Sequence, residues 1–291
     1  MIYSICHITQ YIYDAPMTFC QNRATVEPRT SITQKPLDFN LKIEPRPVEL
    51  MNFKDFFGNN VHYFTINTPL NKLKIQAKSR VECFKRLAPD PTLTPAWDAI
   101  QEIFQSRNTA EDYEAFQYQY ESPFVPIDAI FRDYALPSFS PGRPLLDAVL
   151  DLTARIHQDF EYHPFSTDIT TPTYEVMKIR KGVCQDFAHL QIACLRSLGL
   201  PARYVSGYLR TIPPPGQERL QGSDASHAWL SVYVPDAGWI DVDPTNNVLV
   251  SSDHITVAWG RDYDEVSPVK GTVFGGGNQS ISVSVDVAPE S

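Results

Sequence analysis

Arg180-Lys181-Gly182-Val183-Cys184-Gln185-Asp186-Phe187-Ala188-His189 is the stretch around which the chain is organised. It reads as a turn that delivers one cysteine onto the first turn of a helix. Gly182 permits a tight approach of the backbone, and Asp186 places a negative charge early in the helix, where the macrodipole favours it. From Phe187 to Leu198 the residues are apolar on most sides, broken mainly by His189, Gln191, Arg196 and Ser197. A helix of that kind packs inside a domain. Arg196 in its last turn, Gly199 beyond it and Pro201 further on mark its end. Cys184 is thereby placed where backbone N–H groups without intrahelical partners converge, an environment that favours a thiolate. A lone cysteine is ordinarily just a small buried hydrophobe. The residues downstream set this one apart.

After the helix, Ala202 to Leu209 reads as a buried strand. Pro213-Pro214-Pro215-Gly216 opens a long polar loop reaching Ser226, of a length usually found in functional or mobile segments. His227 to Val234 alternates strictly, Pro235-Asp236-Ala237-Gly238 turns the chain, and Trp239 to Asp243 returns until Pro244 stops it. With an odd loop of Pro235 to Ala237, Val234 faces Gly238 and Trp229 faces Asp243. His227 is then a same-face diagonal neighbour of Asp243, about 7–8 Å away between backbones and within side-chain reach. An even loop would put the two on opposite faces unless a bulge intervened. Asp241 shares the face of Asp243 and competes with it. A thiol at a helix start with an imidazole and a carboxylate on adjacent strands forms a nucleophilic set by role. Spacing alone is weak evidence for it.

Upstream, residues 1–84 read as strands and turns, a β-sandwich domain with no catalytic cluster. Tyr3, Ile5, His7, Thr9, Tyr11 and Tyr13 alternate until Asp14-Ala15-Pro16 ends the run. Phe39 to Ile43, His62 to Ile66 and Leu73 to Cys83 are further strands, with a turn over Asp55-Phe56-Phe57-Gly58-Asn59-Asn60. Pro89, Pro91 and Pro95 mark a break into a helical connecting region, 85–144, where Trp97, Ile100, Ile103 and Phe104 have helical spacing. Leu145 to Ile156 is a strong amphipathic helix that begins the catalytic domain, 145–291. His157 and His163 read as helix-end histidines rather than metal ligands. Asp253 to Asp264 is a strand and a charged loop, Gly275-Gly276-Gly277 a turn, and Ser280 to Val287 a final strand.

The formal net charge of −9 and a pI near 5.2 disfavour a binder of nucleic acid or of an anionic membrane. No apolar run reaches the ~20 residues of a membrane span, and the start lacks the basic-then-apolar pattern of a signal peptide. Five scattered cysteines suggest a reduced, cytoplasmic protein rather than a disulfide scaffold.

Gly182-Val183-Cys184-Gln185-Asp186-Phe187-Ala188-His189-Leu190, Ser226-His227-Ala228-Trp229, and Gly238-Trp239 leading to Asp243-Pro244-Thr245 resemble the three signature blocks of the transglutaminase-like superfamily, in order and spacing. The flanks, His7 to Tyr13, the Asp55-to-Asn59 turn and Trp259-Gly260-Arg261-Asp262-Tyr263, are similar to its bacterial branch, cysteine proteases with an amino-terminal β domain. The resemblance implies an α+β fold: the β-sandwich, then a papain-like or transglutaminase-like core with the cysteine helix on an antiparallel sheet. It implies Cys184 as nucleophile, His227 as general base and acid, and Asp243, the carboxylate of the Asp-Pro-Thr block, as orienter. Gln185 and Asp186 organise the helix start, with substrate contact as a second role. Trp229 and Trp239 are site walls or core, and His189, five residues from Cys184, is a structural histidine. The backbone N–H of Cys184 is the natural first oxyanion donor. The second is unassigned: Lys178 stands where papain-type enzymes carry a glutamine, and Tyr162 is a candidate that a core aromatic role would equally explain. The implied activity is acyl transfer or hydrolysis at a peptide or glutaminyl amide, through a thioester, on a protein or peptide substrate, with no metal or other cofactor. The alternative is a catalytically silent scaffold or protein-binding module.

Overall fold

In the computed structural model the described residues are 1–85, 87–106, 109–211 and 225–290. The first five strands are β1 (Ile2–Glu27), β2 (Gln34–Glu44), β3 (Glu49–Lys54), β4 (Asn60–Ile66) and β5 (Leu70–Cys83). The expected end of the first strand at Asp14-Ala15-Pro16 is instead a bend within β1. Pairing with β5 runs from Ile2 to Ile12, breaks, and resumes at Met17. A proline has no N–H to give a ladder, so it fits where pairing is interrupted. The two halves of β1 carry separate partners: β5 lies beside residues 2–12 and β4 beside 20–27. Ile43, Leu73, Ile75 and Ala77 from one half pack with Cys20, Ala24, Phe64 and Ile66 from the other in one buried core. That antiparallel region is the expected β domain.

Helices α1 (Ile100–Ser106), α2 (Ala110–Phe116), α3 (Ala129–Ala135) and α4 (Leu145–Asp159) follow. Thr109 and Asp112 form a capping box at the start of α2. The short strand β6 (Glu161–Tyr162) leads to α5 (Thr173–Ile179), β7 (Lys181–Gly182) and α6 (Cys184–Ser197). Then come β8 (Ala202–Leu209), β9 (Ala225–Val234), β10 (Gly238–Asp243), β11 (Val248–Leu249) and β12 (His254–Gly260), ordered β11-β10-β9-β8-β12 in one sheet. Their pairings are antiparallel. Helix α7 (Tyr263–Val266) and strands β13 (Val269–Gly275) and β14 (Gln279–Pro289) complete the chain.

Helix α6 is buried on all sides from Asp186 to Arg196, as its sequence requires. Leu190, Ile192 and Leu195 meet Leu230, Val232, Ile240 and Val242 of the sheet in the main core. Each such aliphatic side chain contributes about 1.5–3 kcal/mol on burial. Two of the buried polar residues on α6 tie it to neighbouring segments. Gln191 donates to Thr153 Oγ1 at 2.7 Å, and the Arg196 guanidinium donates to the carbonyls of Ala202, Tyr120 and Arg261.

The last two strands return to the first sheet. β14 pairs with β1 from Tyr3 to Tyr13, and β13 pairs with it from Met17 to Ala24. Residues 269–289, which the sequence reading assigns to the unit 145–291, therefore complete the amino-terminal sheet, and the chain's two ends are tied together. A latch joins the sheets. Asn59 exchanges hydrogen bonds with the backbone of Trp259, and the Arg29 guanidinium lies 3.0 Å from the centre of the Trp259 ring. Among the described residues no helix is long and apolar enough to cross a membrane.

Candidate active site

Cys184 is the first residue of α6, held there by Asp186. The Asp186 carboxylate is 3 % exposed and accepts the Val183 N–H at 2.8 Å and the Thr167 hydroxyl at 2.6 Å. A Cβ on Gly182 would stand 2.8 Å from Asp186 Cβ and Oδ2, so only glycine lets the turn close against this cap. Asp186 thus organises the helix start, while Gln185 donates to the Ile169 carbonyl at 3.4 Å.

The hairpin has the odd register. Gly238 pairs with Val234 and Val242 with Leu230, which puts His227 and Asp243 on one face. His227 Nε2 lies 2.7 Å from Asp243 Oδ2. The ring is also close enough to Cys184 for the thiol to raise its pKa. With Nε2 engaged by the carboxylate, Nδ1 is the nitrogen left for the thiol. Burial pushes the His227 pKa down, but the hydrogen bonds and charges of Asp243 and Cys184 outweigh it and raise it to about 10.

Asp243 is fully buried and surrounded by donors. Oδ1 accepts the N–H groups of Thr245 and Asn246 at 2.9 and 3.2 Å. Oδ2 accepts Asn246 Nδ2 at 2.7 Å, His227 Nε2, and a donor the sequence reading missed, His254 Nε2, at 3.2 Å. Burial favours the neutral acid, yet these bonds to the charged form hold Asp243 well below the usual carboxylate range. Asp241 is committed elsewhere, accepting Trp229 Nε1 at 3.2 Å and the Ser231 hydroxyl.

The remaining candidates divide. Trp229 is fully buried with its ring centre 5.2 Å from that of His254 and 6.1 Å from that of His227, a wall behind the imidazoles. Gly207 makes room for it: a Cβ there would fall 2.4 Å from the indole. Trp239 is away from the cluster, stacked 4.1 Å from the Arg203 guanidinium. Tyr162 is half-exposed, its ring edge-on to Phe187, and close enough to Cys184 for the two to interact electrostatically. His189 is buried, accepts the Tyr263 N–H at 3.1 Å on Nε2 and stacks on Phe124. Burial holds its pKa near 3, so it is a neutral structural residue. Lys178 is exposed on α5 beside Glu175. His157 bonds the Thr245 carbonyl at 2.9 Å. The polar loop from Pro213 lies outside the described residues as far as residue 224.

His227, Asp243 and His254 bring one nitrogen or oxygen each within 4.8 Å of one another. Their nearness is that of a hydrogen-bonded cluster, two imidazole N–H groups on one carboxylate oxygen. A cavity of about 700 Å³ lies against the sheet face that carries Arg203, Tyr233, Trp239 and Trp259. It touches His254 but neither Cys184 nor His227. A substrate carbonyl bound in it would not meet the thiol.

Residues 3–82 match the bacterial transglutaminase-like N-terminal region, and residues 133–244 match the transglutaminase-like superfamily core. An uncharacterized protein of Mycobacterium tuberculosis is 41 % identical over 99 % of this chain and 92 % of its own length. A protein-glutamine gamma-glutamyltransferase of Pseudomonas aeruginosa is 32 % identical over 33 % of this chain and 16 % of its own. The crystal structure of a "putative cysteine protease" from Cytophaga hutchinsonii superimposes with a TM-score of 0.77 at 23 % identity, covering 99 % of this chain and 90 % of that one. By its two matched regions and its full-length relative, the chain belongs to the transglutaminase-like superfamily, with the bacterial transglutaminase-like region preceding the core.

Proposed function

We propose that the protein is a cysteine-dependent acyl-transfer enzyme acting on peptide or glutaminyl amides. The observation that carries this reading is His227 bonded to the buried Asp243 carboxylate while lying close enough to Cys184 to interact with it. With its proton already held by His227, the Cys184 sulfur attacks the amide carbonyl carbon. The oxyanion lies at the start of α6, where the Cys184 N–H has no intrahelical acceptor and the helix dipole favours negative charge. His227 returns the proton to the departing nitrogen as the C–N bond breaks, leaving a thioester. Water or a primary amine, losing a proton to His227, then opens the thioester and the thiol is restored. Asp243 keeps the Nε2–H tautomer and stabilises the imidazolium.

Water as acceptor makes a protease or amidase, and a lysine side chain makes a cross-linking transferase. The partial likeness to a protein-glutamine gamma-glutamyltransferase supports testing the amine route beside the hydrolytic one. Purified protein and its Cys184→Ala variant would be incubated with a glutamine-containing peptide library, with and without dansylcadaverine. New amino termini, released ammonia or dansyl incorporation, each lost in the variant, is the expected result. None of the three in the parent protein would overturn the reading.

A further inference from the structure

We infer that His254 is a positioning residue of this site, the second imidazole donor that fixes Asp243 Oδ2 toward His227. The inference rests on the triad chemistry proposed above. Three observations carry it, and the first is placement. Antiparallel pairing of β12 with β8 sets His254 opposite Leu209, at the same end of the sheet as His227, which pairs with Gly207. His254 Nε2 thereby reaches Asp243 Oδ2 at 3.2 Å.

The second is the tautomer. The Ser251 N–H points at His254 Nδ1, 3.5 Å away, so Nδ1 is the acceptor and the proton sits on Nε2, facing the carboxylate. The third is immobility. The His254 side chain is 4 % exposed, and its ring stands edge-on to Trp229, itself fixed by its bond to Asp241.

A buried carboxylate rotates about its last torsion unless each oxygen is engaged. Oδ1 is held by the backbone N–H groups of Thr245 and Asn246. Of the side-chain donors to Oδ2, His227 is itself the ring to be positioned and Asn246 is on the same short turn as Asp243. His254 is the donor contributed by a different strand, and it ties the orientation of the carboxylate to the body of the sheet. The same bond helps keep Asp243 ionised in its buried position. The arrangement resembles the outer partners that orient a functional imidazole or carboxylate, whose removal typically costs 10–100-fold.

Two substitutions separate hydrogen bonding from packing. His254→Phe keeps a ring against Trp229 and removes the donor. His254→Gln removes the ring and keeps an N–H donor near the place of Nε2. The readouts are the iodoacetamide alkylation rate of Cys184 at pH 6, followed by intact mass, and the downfield proton resonance of the His227–Asp243 bond in ring-¹⁵N-histidine-labelled protein. His254→Phe should slow alkylation about 10-fold or more and broaden or shift that resonance, while His254→Gln should leave both near the parent values. If Phe preserves both and Gln loses them, His254 is a packing residue and the inference is overturned. Equal behaviour of parent, Phe and Gln also overturns it, provided that parent Cys184 reacts faster than an ordinary thiol. If parent Cys184 itself reacts like an ordinary thiol, the triad reading fails, and this inference falls with it.

Discussion

Asp243 Oδ2 lies 2.7 Å from His227 Nε2 at zero exposure, joining two strands of one hairpin across the open end of the sheet. Asp241, two residues earlier on the same face, bonds Ser231 and Trp229 instead. The pair of carboxylates therefore gives a sharp contrast. Asp243→Asn should lower kcat/KM on a responsive peptide by roughly 10³–10⁴-fold, because an amide cannot hold the same imidazole tautomer. Asp241→Asn should change kcat/KM by only a few-fold and cost on the order of 1–3 kcal/mol of stability, from weakened bonds to Ser231 and Trp229. Steady-state kinetics and urea unfolding of the two variants check this.

Stability should depend on pH through the same pair. His227 is raised from 6.5 to about 10 in the folded protein, so its contribution is complete below pH 6.5 and is lost as pH rises toward 10. Asp243 is lowered from 3.8, so its contribution is present above pH 3.8 and is lost as pH falls below that value. Urea unfolding between pH 6 and pH 10 should show a decline in the parent protein that is distinctly shallower in His227→Gln. Parallel curves would mean that His227 is not paired in the folded state.

Gly182→Ala should disturb the cysteine without touching it. The added carbon would press on Asp186 Cβ and Oδ2, 2.8 Å away, and Asp186 caps the helix that begins at Cys184. A loss of about 1–3 kcal/mol is expected from such overpacking, with slower alkylation of Cys184. Thermal unfolding and alkylation kinetics on the same sample measure both.

Arg196 anchors the far end of that helix. It is 2 % exposed and donates to three backbone carbonyls from separate segments, Ala202, Tyr120 and Arg261. Arg196→Met fills much of the volume but removes all of those donors. The expected cost is on the order of 3–5 kcal/mol by urea unfolding.

The residues that form local patterns were the legible ones. A strictly alternating hairpin put His227 and Asp243 on one face on condition of an odd turn, and the resemblance of the three signature blocks, rather than spacing, joined Cys184 to them. Alternation could not set Asp241 aside, because both carboxylates share a face; the Asp-Pro-Thr block favoured Asp243, and the packed side chains show that Asp243 is the one bonded to the imidazole. His254 was invisible for another reason: its bond to Asp243 depends on β12 pairing with β8 rather than β10, a long-range choice that alternation does not encode. Trp239 sits in the signature block yet packs on Arg203, since its strand position places it over the sheet rather than at its end. At the amino terminus Pro16 carried the signal of a strand end, but a long strand can bend at a proline and continue when other strands hold both halves. The return of β13 and β14 to that strand has no local signature at all.

The central claim is that His227 activates Cys184, and intact-mass kinetics of alkylation test it most directly. Cys20, Cys83 and Cys194 are buried, and burial pushes their thiols up, Cys83 to about 11. With limiting iodoacetamide from pH 5 to 9, Cys184 should be captured first, already below pH 7, and His227→Ala should remove that advantage. Capture of Cys184 no faster than that of an ordinary thiol, or at the same rate in His227→Ala, would contradict the account.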